Sequence, residues 1–297
     1  MEDHSAMNAG VPGPLVGTGW LAGELGAADL RVLDCSVTMH HHDDGSYSFS
    51  SGLDKWQRQH IPGSVHADVL QALSDPAQAI GLMMPPPAAL AEIMATHLGV
   101  GDGTRVVLYD DSNHAWAARV WWMLRCCGFD HAAVLDGGLQ KWLAEGRPVT
   151  TTPADYPPAT FTVRPRPQLM AGKEDVQSQL GKAGVTLIHA LSPEAFSGKV
   201  SLFPRPGRIP GSRNVFCQAL VDTDSHALKD RDTLRELFRP SGALEAERVI
   251  TYCGGGIAAS ADALALTLLG VRNVAVYDGS LSEWTADPTL PMETGAD

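Results

Sequence analysis

The sequence predicts an α/β protein that is a tandem duplication of one domain, each copy a parallel sheet flanked by helices. Two observations carry this prediction. Three motifs recur in the same order along the chain, and within each copy short β-branched runs alternate with helical stretches. A length of 297 residues fits two domains of about 150 residues each. A hydrophobic content of 44% provides enough apolar side chains for two cores.

The repeat is visible in three pairs of motifs. Each pair is separated by between 142 and 148 residues. The pairs are 61–64 with 209–212, 106–110 with 248–253, and 134–138 with 276–280. Because the order is kept and the spacing changes by only a few residues, we interpret the chain as a duplication of a domain of about 140 residues.

Residues 150–170 are expected to join the two copies. This stretch is rich in proline and lacks a helical pattern, which favours an extended linker. An alternative is that part of it is an ordered segment packed along one domain. The predicted division is therefore a first domain at 1–149, a linker at 150–170 and a second domain at 171–297.

Each copy contains a strand, a helix and a second strand in succession. Both helices are followed by a glycine, Gly128 or Gly270, the residue type that commonly ends a helix. The predicted elements are a strand at 105–109, a helix at 115–127 and a strand at 131–135, then a strand at 248–252, a helix at 257–269 and a strand at 273–277. Such alternation is typical of a parallel sheet covered on both faces.

Composition restricts the partners and the compartment. A net charge of −12 argues against nucleic acid or an anionic membrane as a partner. No apolar run approaches the roughly 20 residues that span a bilayer, and residues 1–4 do not resemble the start of a secretory signal. Five cysteines without a disulfide-like spacing predict a reducing, cytoplasmic setting.

The segment most suggestive of chemistry is Cys253-Gly254-Gly255-Gly256, which lies between a predicted strand and a predicted helix. Ligands bind at the carboxyl ends of strands in open parallel sheets. Consecutive glycines let the backbone curl and direct several N–H groups at one point, and the helix dipole points the same way. A thiolate there would be stabilised and reactive. Cys126 and Cys127, inside an apolar helix, are expected to be structural.

The chain as a whole resembles the two-domain rhodanese-type sulfurtransferases, which include thiosulfate and 3-mercaptopyruvate sulfurtransferases. The segments that carry the resemblance are 60–63, 118–124, 135–138, 208–211 and 253–259. The resemblance implies that Cys253 in the second domain is catalytic. It also implies that the first domain is a non-catalytic copy, in which Asp110 replaces the cysteine.

The mechanism implied by the resemblance is covalent sulfur transfer. Cys253 takes a sulfur atom from a small donor, and the resulting persulfide passes it to cyanide, a thiol or a protein cysteine. The N–H groups of the loop would stabilise the negative charge. The residues concerned are Gly254, Gly255, Gly256, Ile257 and Ala258. No metal or organic cofactor is implied.

Three departures from the family pattern leave the donor open. Mercaptopyruvate-type members have a serine at the position of Gly255 and a histidine at the position of Leu82. The stretch at 189–191 lacks the family's Asp-Ser-Arg triplet. Arg205 and Arg208, with Arg213 nearby, are candidate replacements for the missing arginine, the alternative being solvated surface residues. His189 is a candidate proton-handling group, with a core histidine as the alternative.

The same residues bear on two other functions and on a metal site. A phosphatase that uses a similar cysteine loop needs an arginine at position 259, where this chain has Ala259. A sulfur-relay or interaction module with little turnover of small donors remains an alternative to the enzyme. Residues 40–44, His-His-His-Asp-Asp, suggest a metal site, but a solvated loop is the favoured interpretation.

Overall fold

The structure is a computed structural model that describes residues 10–42 and 47–295, and its first domain is built on a five-stranded parallel sheet. The strands of this domain are β1 (Leu15–Val16), β2 (Leu30–Asp34), β3 (Val37–His41), β4 (Tyr47–Ser51), β5 (Ser64–His66), β6 (Arg105–Tyr109) and β7 (Ala132–Leu135). The sheet order is β1-β7-β6-β2-β5, while β3 and β4 pair separately as an antiparallel hairpin.

The second domain repeats this sheet. Its strands are β8 (Met170–Ala171), β9 (Val185–His189), β10 (Arg213–Asn214), β11 (Arg248–Tyr252) and β12 (Val274–Tyr277). They are all parallel in the order β10-β9-β11-β12-β8, so each strand has a counterpart at the same place in the first sheet. The predicted duplication and fold class are therefore confirmed.

Helices flank both sheets. In the first domain they are α1 (Thr18–Glu24), α2 (Leu53–Arg58), α3 (Pro87–His97), α4 (Ala115–Cys126) and α5 (Gly138–Ala144). In the second they are α6 (Lys173–Gln179), α7 (Pro193–Ser197), α8 (Arg231–Phe238), α9 (Ile257–Leu268) and α10 (Ser280–Trp284). In the described part of the chain no helix has the length and apolar character needed to cross a membrane.

The predicted elements agree with the structure to within one residue. Strands β6 and β11 have the predicted bounds, helices α4 and α9 end one residue earlier, and strands β7 and β12 begin one residue later. Gly128 and Gly270 follow their helices with φ angles of +85° and +92°. Glycine occupies this left-handed conformation without the penalty that a Cβ atom brings.

The hairpin β3–β4 was not predicted. His40 and His41 belong to its first strand, so the interpretation of this stretch as a loop is wrong for these two residues. The strand forms because Val37, Thr38 and Met39 are β-branched or apolar residues that pair with a second short run rich in serine and aromatic residues. Asp43 and Asp44, like residues 1–4, lie outside the described residues.

The segment between the domains is ordered along the first domain. Residues 151–166 contain no helix or strand, but their backbone is hydrogen-bonded to the first domain at several points. Thr160 O accepts from Asp102 N at 2.7 Å, and Arg164 N donates to Cys127 O at 2.8 Å. The alternative interpretation, an ordered segment packed along a domain, describes this stretch.

The two domains share a core at which α4 packs against α9. Two aspartates extend this interface in matching positions. Asp136 Oδ1 accepts from Leu228 N of the second domain at 2.8 Å, and Asp278 Oδ2 accepts from Met84 N of the first at 2.7 Å. Since 136 and 278 are equivalent positions in the repeat, the duplicated domains hold each other by reciprocal contacts.

Candidate active site

Cys253 directly follows strand β11 at the carboxyl end of the second sheet, and its side chain belongs to the core shared by the domains. The residue is 2% exposed. Its N–H donates to Ser280 Oγ at 3.0 Å, and its carbonyl accepts from Leu281 N at 3.0 Å. The turn after β12 therefore fixes the backbone of the cysteine on both sides.

Two of the three glycines after Cys253 are required by close contacts. A Cβ atom at Gly254 would lie 2.8 Å from Phe203 Cζ. Gly256 has a φ of +78°, and a Cβ atom there would lie 2.9 Å from both Arg119 Nη1 and Asp278 Oδ1. Gly255 differs, because the nearest atoms to its Cβ position are 3.9 Å away. The loop thus has one position with room for a side chain.

The backbone N–H groups around the cysteine are largely free of protein acceptors. Gly256 N donates to Ser280 Oγ at 3.3 Å. Within residues 10–42 and 47–295, no acceptor is found for the other N–H groups of the loop and of the first turn of α9. These belong to Gly254, Gly255, Ile257, Ala258 and Ala259. The first N–H groups of a helix have no partner within the helix, so this set suits a bound anion.

The equivalent loop of the first domain holds an anion that the chain itself supplies. Asp110 follows β6 as Cys253 follows β11, and its carboxylate turns into the loop. Asp110 Oδ1 accepts from Ser112 N at 2.9 Å and from His114 N at 3.2 Å. Its Oδ2 accepts from Trp116 N at 3.1 Å and Ala117 N at 3.0 Å. Four backbone N–H groups therefore converge on one negative charge.

The comparison between the two loops identifies an N–H group that sequence reasoning did not include. With the repeat offset of 142, Trp116 and Ala117 correspond to Ala258 and Ala259. Ala258 was predicted to contribute to the loop. Ala259 was named only within the segment 253–259 and as the place where a phosphatase would have arginine, yet its N–H group is equivalent to that of Ala117, which donates to Asp110 Oδ2.

The described hydrogen bonds of Arg205 and Arg208 lead to residues 284–295 and, for Arg208, also to Phe196 O. The guanidinium of Arg205 donates to four backbone carbonyls, those of Trp284, Thr285, Asp287 and Leu290. Arg208 is 2% exposed, and it donates to Glu293 Oε1 at 2.8 Å and to Gly295 O at 2.7 Å. Through these described bonds both arginines attach residues 284–295 to the rest of the second domain. Arg213 is exposed.

His189 lies on the other face of the second sheet from Cys253. Its ring packs edge-on against Tyr252 and Phe196, with centroid distances of 5.2 and 5.4 Å. Tyr252 belongs to the core on that face, whereas Cys253 belongs to the core shared with the first domain. Burial lowers the pKa of His189 to about 4. The structure therefore describes a core histidine, the alternative interpretation of this residue.

The remaining cysteines are buried and held as thiols. Burial raises the pKa of Cys126 to about 12 and that of Cys127 to about 11. It also raises the pKa values of Cys35 and Cys217 well above their ordinary range. Cys126 and Cys127 thus have the structural role expected of them.

Two contributors to the site come from outside the predicted loop. Ser280 was visible only as part of a repeated motif, and its hydroxyl receives the N–H groups of Cys253 and Gly256. Arg119 of the first domain pairs with Asp278 at 2.6 Å and donates to Leu82 O at 2.8 Å, directly beside Gly256. No local sequence signal indicates this contact, because it joins residues 159 positions apart in different domains.

The fold and the site define a two-domain α/β protein in which Cys253 follows a strand of the second sheet and begins a glycine loop that leads into a helix. Residues 18–145 and 173–287 each match the family model described as rhodanese-like domain. The chain belongs to the rhodanese family.

Individual relatives match over almost the whole chain. A probable 3-mercaptopyruvate sulfurtransferase of Pseudomonas aeruginosa is 34% identical over 93% of this chain and 96% of its own length. The sulfur carrier protein TtuD of Thermus thermophilus is 30% identical over 96% of this chain and 98% of its own. The crystal structure of SseA from Escherichia coli, described with 3-mercaptopyruvate sulfotransferases, superposes with a TM-score of 0.79 at 29% identity, covering 90% and 98% of the two chains.

Proposed function

We propose that the protein is a sulfurtransferase that carries sulfur as a persulfide on Cys253. The observation that carries this proposal is the pair of equivalent loops. In the first domain four N–H groups bind the carboxylate of Asp110. In the second, the corresponding N–H groups follow a cysteine at the same strand end, so the anion they suit is a thiolate or a persulfide.

The reaction has two steps. The Cys253 thiolate attacks the transferable sulfur of the donor, a new S–S bond forms, and the bond between that sulfur and the rest of the donor breaks. Thiosulfate would leave as sulfite, and 3-mercaptopyruvate as the enolate of pyruvate, which takes up a proton. A nucleophilic acceptor then bonds to the outer sulfur, and Cys253 leaves as a thiolate.

We favour 3-mercaptopyruvate over thiosulfate as the donor. The loop presents N–H groups and three glycines, without the cations that a dianion requires. Phe203 lies against Gly254 and Leu82 lies near Gly255, and Arg119 beside Gly256 is already paired with Asp278. The predicted arginine ligands bond elsewhere. A monocarboxylate donor fits these surroundings better than a small dianion.

The first domain, residues 1–149, is proposed to carry no sulfur. Asp110 fills its loop with a carboxylate, which cannot form a persulfide. In this proposal residues 150–170 connect it to the catalytic domain at 171–297, whose sheet already begins at Met170, one residue before the predicted bound. The five free cysteines support a reducing compartment such as the cytoplasm.

A second candidate function is sulfur relay between proteins. The relative TtuD is named a sulfur carrier protein, and the substrate groups found in some family loops are absent here. In a relay, the acceptor would be a protein cysteine rather than cyanide or a small thiol.

The test is intact mass of the full chain before and after each donor. Loading with 3-mercaptopyruvate is expected to add one sulfur, about 32 Da, and the added mass should leave with cyanide. Cys253→Ser should abolish both changes, while Cys217→Ser, another buried cysteine of the same domain, should retain them. Uptake only from a protein persulfide would support the relay. Unchanged transfer after substitution of Cys253 would overturn the proposal.

A further inference from the structure

Three polar side chains of the first domain meet where three strands end. Asp34, Ser51 and His66 are the last residues of β2, β4 and β5, respectively. Ser51 Oγ lies 2.9 Å from His66 Nε2, and His66 Nδ1 lies 3.4 Å from Asp34 Oδ1. Because β2 and β5 are adjacent and parallel, this group lies at the ligand-binding edge of the first sheet.

The order of the contacts is that of a nucleophile, a base and an orienting carboxylate. The hydroxyl contacts one nitrogen of the imidazole, and the carboxylate contacts the other. The side chains of His66 and Asp34 are 6% and 1% exposed, so the base and its partner are shielded from water. Ser51 is only partly buried. This arrangement is recognised by geometry on unrelated folds, and its hydrogen bonds are often long before a substrate binds.

The backbone around Ser51 is held in place. A Cβ atom at Gly52 would lie 2.2 Å from Ser36 O, and Gly52 N donates to the same carbonyl at 3.1 Å. Ser36 N in turn donates to Asp34 Oδ1 at 2.8 Å. Leu53 N donates to Ser51 Oγ at 3.3 Å, so the hydroxyl proton remains available for His66. The glycine contact thus ties the serine to the strand that carries the carboxylate.

Apolar side chains are exposed beside the serine. Phe49 and Leu53, two residues before and after Ser51, are 38% and 39% exposed. Met39, which pairs with Phe49 across the hairpin, is 48% exposed. These side chains offer contact area to an apolar group held near the hydroxyl.

We propose that Ser51, His66 and Asp34 form a second reactive site, which takes small esters or thioesters with an apolar acyl group. Ser51 Oγ bonds to the acyl carbon as its proton passes to His66 Nε2. The bond from that carbon to the alcohol or thiol breaks, and the leaving group takes the proton from His66. Water, activated by the same histidine, then hydrolyses the acyl-serine. Asp34 holds the imidazole in the required tautomer.

The hairpin provides a matched control. Ser50 Oγ lies 2.7 Å from His40 Nε2, so this pair has a serine and a histidine at equal reach. In the part of the chain that the structure describes, no carboxylate pairs with His40. Ser50 therefore tests whether a serine beside a histidine is sufficient, or whether the buried Asp34 is needed.

The experiment uses the full chain with Cys253→Ser, which removes the proposed sulfur nucleophile and separates this test from that of sulfur transfer. An alkyl fluorophosphonate is expected to phosphonylate Ser51 with loss of fluoride, as located by peptide mass mapping. The same protein is expected to hydrolyse p-nitrophenyl butyrate. Ser51→Ala should lower both rates by about 100-fold or more, and Asp34→Asn by about 10-fold or more, while Ser50→Ala should change neither.

Thermal unfolding and, with Cys253 restored, sulfur transfer show whether Ser51→Ala remains folded. If it does not, His66→Gln provides the same test of reactivity. Absence of label on Ser51, labelling of Ser50 at the same rate, or hydrolysis that survives Ser51→Ala would each overturn the proposal.

Discussion

At the residue scale, the three glycines after Cys253 differ in what a side chain at each position would contact. A Cβ atom at Gly254 would meet the ring of Phe203, and Gly256 adopts a left-handed conformation beside an ion pair, whereas a Cβ atom at Gly255 would make only ordinary contacts at 3.9 Å. Sequence reasoning treated them as one flexible run. The structure indicates that only two of them are constrained by contacts, which makes their substitutions unequal.

Gly256→Ala is expected to destabilise the protein by about 2 kcal/mol and to reduce sulfur transfer. A left-handed conformation costs a residue with a Cβ atom about 1–2 kcal/mol, and the new atom would also contact Arg119 and Asp278 at 2.9 Å. Gly255→Ala is the control and should change the free energy of unfolding by less than about 1 kcal/mol. Urea unfolding measures both, and equal losses would contradict the prediction.

His189 makes stability depend on pH. Its pKa is about 4 in the folded protein, because burial penalises the charged ring, against 6.5 ordinarily. Between these two pKa values, His189 is therefore protonated in the unfolded chain and neutral in the folded protein. The contribution of His189 is fully present above pH 6.5 and is lost as the pH falls toward 4.

Replacement by phenylalanine should remove this dependence. Between pH 7.5 and 4.5, His189→Phe is expected to lose about 2.5 kcal/mol less stability than the unaltered protein. Phenylalanine keeps a ring between Tyr252 and Phe196 but cannot bind a proton. Urea unfolding at the two pH values gives the difference, and parallel losses in the two proteins would exclude His189 as its source.

At the scale of elements, the first residue of α10 supports the cysteine loop. Ser280 has a φ of +48°, donates to Tyr277 O at 2.7 Å, and accepts from the N–H groups of Cys253 and Gly256. One hydroxyl thus joins the end of one strand to the loop after its neighbour. This bond fixes the backbone at Cys253 and at Gly256, the two ends of the glycine run.

Ser280→Ala is expected to lower the rate of persulfide formation by about 10-fold, since a buried hydrogen bond is typically worth about 1–2 kcal/mol. Ser282→Ala is the matched control, because Ser282 meets the loop through its backbone N–H group. Single-turnover loading followed by mass spectrometry compares the two. A loss of stability without a slower loading step would assign Ser280 to the fold alone.

At the scale of the whole molecule, the first domain contributes to a site that it does not itself contain. Arg119 crosses the interface to pair with Asp278, and both side chains are almost completely buried. Asp278 also accepts from Met84 N, which orders the first-domain segment beside Gly255. A duplicated domain without a cysteine thereby positions the loop of its partner.

Breaking this pair should destabilise the protein strongly. Arg119→Met or Asp278→Asn is expected to cost about 3–5 kcal/mol, because each leaves one buried charge without its partner. The double variant should cost less than the sum of the two. Arg239→Met, which removes an exposed pair with Glu236, should cause no measurable change. Additive losses in the double variant would show that the two charges do not interact.

The sequence could predict the features that depend on local order along the chain. Strands β6 and β11, helices α4 and α9, and the position of Cys253 at a strand end follow from side-chain periodicity and from a turn rich in glycine. The repeat could be predicted too, because two copies of one pattern need no knowledge of how they pack. Hairpin β3–β4 was missed because short strands of serine and histidine lack a strong apolar alternation.

Tertiary structure alone decided which side chains face the loop. His189 belongs to a strand with the pattern of a buried strand, but only the packed sheet shows that its side chain lies on the other face from that of Cys253. Arg205 and Arg208 lie near the repeated turn in sequence, yet most of their described bonds go to residues 79 to 87 positions later. Local sequence determines backbone conformation through short-range sterics and hydrogen bonds. The partners of a buried charge depend on which distant segments exclude water around it.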